Sequence, residues 1–371
     1  MNPAPPNTPN APVRAAGRAP GRAAVSNPVS RYDRHDREAV DDGWDRDDDL
    51  PPLRTEVSLE RPRSAITRNA SPDVGFDRSI NPYRGCEHGC IYCFARPTHA
   101  YLGLSPGLDF ETRLIARPGL PEVLARELAR PGYRPATIAI GTNTDPYQPI
   151  EKDHRIMRRV LEVLEAHNHP VAVVTKGTLI ERDIDILSRM AAKGLARVGI
   201  SVTTLDPGLA RRMEPRVPSP ARRLASIGRL SAAGVPVRVM AAPMIPGLTD
   251  HELEAILAAG AGAGAVAASY ILLRLPLEVA PLFREWLDAS LPGRAARVMR
   301  AVRATRGGKD YDAEWGKRMT GEGLEAALLA RRFEVARART GLAKELPPLR
   351  TDLFAVPPRP GDQLSLFDPR V

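Results

Sequence analysis

The sequence predicts an α/β fold: a partial (βα)6 barrel with a helical C-terminal extension and disordered tails. Three observations carry this. Short apolar, β-rich runs alternate with helical stretches of about ten residues or more, the pattern of parallel βα units. Six such runs occur between residues 64 and 276. Proline crowds both ends of the chain, where no periodic apolar pattern exists.

The first strand is expected near Ser79–Arg84. Thr137–Ile140 (TIAI) is a strand ending at Gly141, and Asp153–His167 has helical periodicity with Ile156, Val160, Val163 and Leu164 on one side. Val171–Thr175, Arg197–Thr203, Val235–Ala241 and Val266–Leu273 are the later strands. Helices over Ile184–Ala192, Ala221–Ala233 and Asp250–Ala259 lie between them, the last with Thr249 as its N-cap. Past Pro276, helices are expected at Ala280–Asp288, Gly293–Thr305 and Gly323–Thr340. The resulting division is a disordered tail over 1–63, a core over 64–276, a helical extension over 277–346 and a disordered tail over 347–371. In a partial barrel the site lies at the C-terminal ends of the strands.

The chain has 371 residues and a net charge of +9, with 53 Lys and Arg against 44 Asp and Glu. An anionic partner suits that balance, but an arginine excess alone does not identify one. The N-terminal residues carry no apolar segment of a secretory signal. The uncharged run from Ala255 to Leu273 is rich in Ala and Gly, so a helix end, a turn and a buried strand explain it better than a membrane span. A cytoplasmic location without membrane association is expected. The only three cysteines fall within eight residues, which suits a metal site in a reducing compartment rather than a disulfide framework.

Those cysteines stand in NPYRGCEHGCIYCFARPTHAYLG, spaced Cys86-x3-Cys90-x2-Cys93. Three thiolates on a short loop reach three corners of an iron–sulfur cubane and leave one iron open. Gly85 and Gly89 give the loop backbone freedom, and Tyr92 can shield the cluster and face a nucleotide base. The competing reading is a structural zinc site, with His88 or His99 as fourth ligand.

This motif, placed after the first strand of a repeated βα unit, resembles the radical SAM superfamily over residues 75–275. The resemblance implies that Cys86, Cys90 and Cys93 hold a [4Fe–4S] cluster, whose open iron chelates S-adenosylmethionine. It implies reductive cleavage to a 5′-deoxyadenosyl radical that abstracts hydrogen from a substrate. GTNTDPYQPIE (Gly141–Glu151) falls where the superfamily contacts the methionine end of the cofactor, so Thr142, Asn143 and Asp145 are cofactor-binding candidates. Lys176 either pairs with the cofactor carboxylate or is solvated. Ser201 and Thr203 end a strand and are candidates for the ribose or carboxylate. Glu214 either binds ribose hydroxyls or pairs with the arginines around it.

NPYRGCxHGCxYCFARPTH followed by TDPYQPIE is similar to a narrower group, the DNA-repair-photolyase-like proteins related to spore photoproduct lyase. That similarity implies lesion chemistry on DNA. The lyase family uses a further cysteine as hydrogen donor, and this chain has none to spare, so a tyrosine replaces it or the reaction differs. The alternatives are radical modification of RNA, a peptide or a small molecule, and a non-enzymatic cluster-containing adaptor.

Two features bear on partners. Arg294, Arg297, Arg300, Arg303 and Arg306 recur every third residue on an expected helix, a stripe that drifts about 60° per step and suits a phosphate backbone or a solvated face. Gln363, Leu364, Leu366 and Phe367, in QLSLF near the C-terminus, resemble the pentapeptide that binds bacterial sliding clamps. An electron donor such as flavodoxin or ferredoxin is implied by the radical chemistry.

Overall fold

The computed structural model describes residues 21–33 and 53–358. Ten strands occur there: β1 (Glu56–Leu59), β2 (Thr67–Arg68), β3 (Arg78–Ile80), β4 (Tyr83–Arg84), β5 (Arg113–Ala116), β6 (Ile138–Ile140), β7 (Val171–Thr175), β8 (Ala196–Ser201), β9 (Val237–Met244) and β10 (Ala267–Leu272). The main sheet runs β10-β9-β8-β7-β6-β3-β2. Its six strands from β3 to β10 are parallel and lie in sequence order, and β2 adds an antiparallel edge. This is the expected six-unit partial barrel.

The local chemistry explains the crossovers. Helix Ile156–Ala166 buries Ile156, Met157, Val160, Leu161 and Leu164, a stripe at i, i+1, i+4, i+5 and i+8 that faces the sheet. It starts three residues later than the periodicity suggests, because Arg155 sits at φ 51° and separates it from a short turn of helix, Glu151–His154. Helix Ile184–Ala192 has the expected bounds. Pro220–Ala232 starts behind Ser219, whose hydroxyl accepts from the Arg222 amide. Thr249 is not an N-cap in this way: its hydroxyl accepts the amide of Ile245 and closes the preceding turn. The uncharged run at 255–273 divides into helix Leu253–Gly262 and β10. Among the described residues no helix is long and apolar enough to cross a membrane.

Three further elements escaped the sequence pattern. A second sheet, β1-β5-β4, stands beside the cysteine loop, with β1 parallel and β4 antiparallel to β5. Helix Leu120–Leu128 leads into β6. The segment 343–355 crosses the end of the barrel remote from the cysteines: Ala343 bridges to β10, the Arg350 amide donates to Gly194, and the Ala355 amide donates to His167. Phe354 there packs on His167, His169 and Tyr133.

Both tail assignments therefore need correction where the structure describes them. Within 1–63, Arg22, Ala23 and Ala24 are buried, and β1 pairs in a sheet. Within 347–371, Leu353 and Phe354 pack against the core. Apolar patterning is too sparse in either segment to signal this; backbone hydrogen bonds and single anchors hold them. QLSLF, with Gln363, Leu364, Leu366 and Phe367, lies outside the described residues.

The helical extension matches expectation: Val279–Ser290, Pro292–Ala304 and Gly323–Arg339. Arg306 is the exception in the arginine stripe. Its buried guanidinium donates to the carbonyls of Leu273 and Lys317, at 2.8 Å each, and so fastens the end of β10 to the loop after the second helix. Arg294, Arg297, Arg300 and Arg303 are exposed, and Arg303 pairs with Asp310.

Candidate active site

A cavity of about 650 Å³ opens at the C-terminal ends of the parallel strands. Every strand of the barrel delivers residues to it. The loop after β3 brings Cys86, Cys90 and Cys93; β6 leads to Gly141, Thr142 and Asn143; β7 ends at Thr175 and Lys176; β8 contributes Ser201; β9 contributes Met240; and Arg274 follows β10.

The cysteine loop is tightly constrained. Gly85 and Gly89 adopt φ of 71° and 65°, the left-handed region that costs side-chain-bearing residues about 1–2 kcal/mol. Space excludes side chains as well: a Cβ at Gly89 would lie 2.7 Å from the Glu111 carboxylate. The Cys86 amide donates to Phe110 at 2.9 Å. Gln148 accepts the Glu87 amide at 2.8 Å and donates to the Gly85 carbonyl. Arg96 spreads its guanidinium over the loop, donating to the carbonyls of Cys90 (3.0 Å), Gly89 (3.2 Å) and Gly107 (2.9 Å). Glu111 neutralises it at 2.5 Å.

The three thiols form no disulfide. Burial, then the nearby Asp145 charge, pushes the Cys86 thiol well above its ordinary value, and burial raises Cys90 too. Such thiols ionise when a metal takes them, not before. Among the described residues no three His, Cys, Asp or Glu side chains converge as a single metal ion requires. A cubane binds each thiolate at a different corner and needs no such convergence. His99 uses its Nε2 on the Arg113 carbonyl at 3.0 Å.

Of the candidate cofactor residues, Tyr92, Thr142, Asn143, Asp145, Lys176 and Ser201 line the cavity. Thr142 and Asn143 have side chains unbonded among the described residues. The Lys176 ammonium lies 5.8 Å from the centroid of the Tyr92 ring, so it is not free in solvent. Asp145 has a bracing part that sequence alone does not reveal. It accepts from the Thr175 hydroxyl at 2.6 Å and the Lys176 amide at 2.8 Å, and faces His88 at 3.4 Å. Burial opposes its charge, but His88 and these donors hold it down to about 2. His88, a candidate fourth ligand in the zinc reading, is buried on the cavity wall.

Thr203 and Glu214 are not on the cavity wall. Glu214 is buried between Arg223 at 2.7 Å, the Thr203 hydroxyl at 2.8 Å and the Tyr92 hydroxyl. Of its two readings, pairing with arginine is the one realised. Burial opposes its charge and Arg223 restores it, leaving it below its ordinary value. Its work is to hold the Tyr92 ring in place.

Gly141 shows how closely the strand ends pack. It has φ 88°, and a Cβ there would sit 1.8 Å from the Val174 carbonyl oxygen. No other residue brings Thr142 and Asn143 so near to β7.

A family model described as the Radical SAM superfamily matches residues 80–259. The chain belongs to the radical SAM superfamily. An uncharacterized protein of Mycobacterium tuberculosis is 40% identical over 230 residues, 62% of this chain and 68% of that one. One of Methanocaldococcus jannaschii is 25% identical over 200 residues, 54% of this chain and 73% of its own length. Among solved structures, a spore photoproduct lyase variant with bound AdoMet and dinucleoside spore photoproduct superposes with a TM-score of 0.57 at 14% identity, covering 77% of this chain and 80% of that one. That likeness shows a shared fold.

The superfamily's cofactors are a [4Fe–4S] cluster and S-adenosylmethionine, and the residues present fit both. Cys86, Cys90 and Cys93 are the only thiols of the chain and share one cavity wall with the unbonded side chains of Thr142 and Asn143 and with the Lys176 cation. When bound, the pair supplies a one-electron cleavage that starts radical chemistry. The protein's own residues orient the cysteine loop, place polar donors at the strand ends and enclose the space.

Proposed function

We propose that this protein is a radical SAM enzyme acting on damaged DNA in the cytoplasm. The observation that carries the reading is the lining of the cavity, which holds Phe76, Phe94, Tyr311 and Arg274 beside the cysteines. Aromatic faces stack nucleobases, and arginine meets phosphate. The solved spore photoproduct lyases of like fold include ones holding a dinucleoside photoproduct. The exposed Arg294, Arg297 and Arg300 on helix Pro292–Ala304 add a basic face suited to a DNA backbone.

The chain's cysteines are committed to the cluster, so hydrogen return to the product falls to a tyrosine. Tyr311 is on the cavity wall with no hydrogen bond to its hydroxyl among the described residues, whereas Tyr92 is held by Glu214. A hydrogen atom leaves the Tyr311 O–H and forms the product C–H bond. The phenoxyl radical left behind takes one electron from the flavodoxin- or ferredoxin-like donor and one proton from solvent. The tail motif from Gln363 to Phe367 is proposed as a sliding-clamp ligand that recruits the enzyme to DNA. A tail peptide with no clamp affinity at high micromolar concentration removes that part.

The test is anaerobic reconstitution, reduction and quantification of 5′-deoxyadenosine with irradiated and unirradiated DNA. A rise with irradiated DNA supports lesion chemistry. Cleavage indifferent to DNA moves the substrate to RNA, a peptide or a small molecule. No cleavage from a fully iron-loaded protein favours the non-enzymatic adaptor.

A further inference from the structure

Arg274 occupies an unusual position for a cation. It follows β10 between the buried Leu273 and Leu275, so the backbone there is anchored on both sides. Its guanidinium carbon lies 4.2 Å from the centroid of the Phe94 ring. Among the described residues it makes no hydrogen bond or ion pair. The nearby carboxylate is already used: Asp73 is taken by Arg318 and by the Gly316 amide, at 2.7 Å for the latter. That Asp73–Arg318 pair, with Arg318 also donating to Ser71 at 2.5 Å, ties the 307–321 loop over the mouth of the cavity. Arg306 fixes the other side by holding Leu273 and Lys317. Two hydrogen-bonded arginines thus hold the loop that lines the cavity, and Arg274, with no hydrogen-bonded partner among the described residues, lines the same space.

Placing an unpaired guanidinium in a confined site costs free energy that a bound anion repays. The Phe94 ring beneath the guanidinium places the cation without using a hydrogen-bond acceptor, so its N–H donors stay available. Phe94 is 41% exposed, which leaves ring surface for a second planar group. Phe76 and Tyr311 line the same wall.

We propose that Arg274 is the receptor for a phosphodiester of the substrate, with the flanking base against the aromatic wall. This rests on the nucleic-acid reading above and narrows it. The substrate enters as a nucleotide pair with its linking phosphate intact, and the phosphate sets its register relative to the cysteine loop. Arg318 takes no part in this, because Asp73 has neutralised it.

The test is equilibrium binding to the anaerobic holoprotein with S-adenosylmethionine present. The probes are a UV-irradiated thymidine dinucleotide and the same molecule with a neutral methylphosphonate linkage. The wild type binds the charged probe about tenfold tighter than the neutral one, the size of one charge-assisted contact. Arg274→Gln abolishes that preference, Arg274→Lys keeps part of it, and affinity for S-adenosylmethionine is unchanged in both. If Arg274→Gln keeps the full preference, Arg274 is not the receptor, and the nucleic-acid reading survives without it. If Arg274→Gln instead loses S-adenosylmethionine, Arg274 serves the cofactor and the proposal fails. If the wild type binds neither probe, the nucleic-acid reading falls and takes this inference with it.

Discussion

Arg96 and Glu111 form an ion pair at 2.5 Å with both side chains 0% exposed, directly behind the cysteine loop. Arg96 reaches forward to the carbonyls of Gly89 and Cys90. Glu111 reaches back to the amides of Ala23 and Ala24, at 3.0 Å each. The pair therefore couples the N-terminal segment to the cysteine loop.

Breaking one side of such a pair leaves an uncompensated buried charge, at a cost of about 3–5 kcal/mol. Arg96→Met is expected to lower the melting temperature and the iron retained after desalting. The double variant Arg96→Met with Glu111→Gln is expected to lose less than the two single losses added together, because neither charge is then stranded. Additive losses would show that the two residues act independently.

Deleting residues 1–33 removes Arg22, whose guanidinium donates to the Glu111 carbonyl at 2.7 Å and to Thr55 at 2.9 Å, along with both amide donors to Glu111. The truncated protein is expected to fold and to lose its cluster faster in air than the full chain. Absorbance near the cluster's charge-transfer band, followed over time, gives the rate. An unchanged rate would mean the segment only covers surface.

Gly141→Ala combines a positive φ with a Cβ 1.8 Å from the Val174 carbonyl. The strands must part locally, at a cost of about 2 kcal/mol or more. Weaker S-adenosylmethionine binding is expected alongside the lower stability, since Thr142 and Asn143 follow directly. Isothermal titration of the anaerobic protein separates the two effects.

His169 is buried, with Nε2 against the Tyr133 hydroxyl at 2.8 Å and Phe354 in a T-shaped contact with its ring. Burial holds its pKa down to about 4 from an ordinary 6.5. Between those values the unfolded chain binds the proton and the folded one does not. Stability is thus full above pH 6.5 and falls as pH drops towards 4, by at most about 3 kcal/mol. A His169→Gln protein is expected to show a flatter melting-temperature profile over that window. A parallel profile would place the acid sensitivity elsewhere.

Lys176→Met removes the cation at the end of β7 while leaving the Asp145–amide contact intact. About tenfold weaker S-adenosylmethionine binding is expected, with iron content unchanged. Unchanged affinity would return Lys176 to a role as a partner for the Tyr92 ring alone.

Much of this architecture was legible in the sequence because it rests on local rules. Val171–Thr175 reads as a strand and Ile184–Ala192 as a helix from composition and period alone, and the structure gives those same bounds. Cys86, Cys90 and Cys93 announce themselves by spacing, and Gly85 and Gly89 by the tight loop the spacing demands. Strand order in parallel βα units then puts their C-terminal ends on one side.

Tertiary structure decided what depends on distant partners. Glu214 as brace rather than ligand follows from Arg223 and Tyr92 meeting it in space. Asp145 and His88 join across 57 residues of chain, and Arg22 finds Glu111 across 89. No periodicity encodes such pairings, because a buried charge is placed by whichever opposite charge the fold brings to it. The sequence by itself determined the barrel, the cysteine spacing and the cofactor class. Only packing selected, among many arginines and carboxylates, those that pair with each other and the one at Arg274 left facing the cavity.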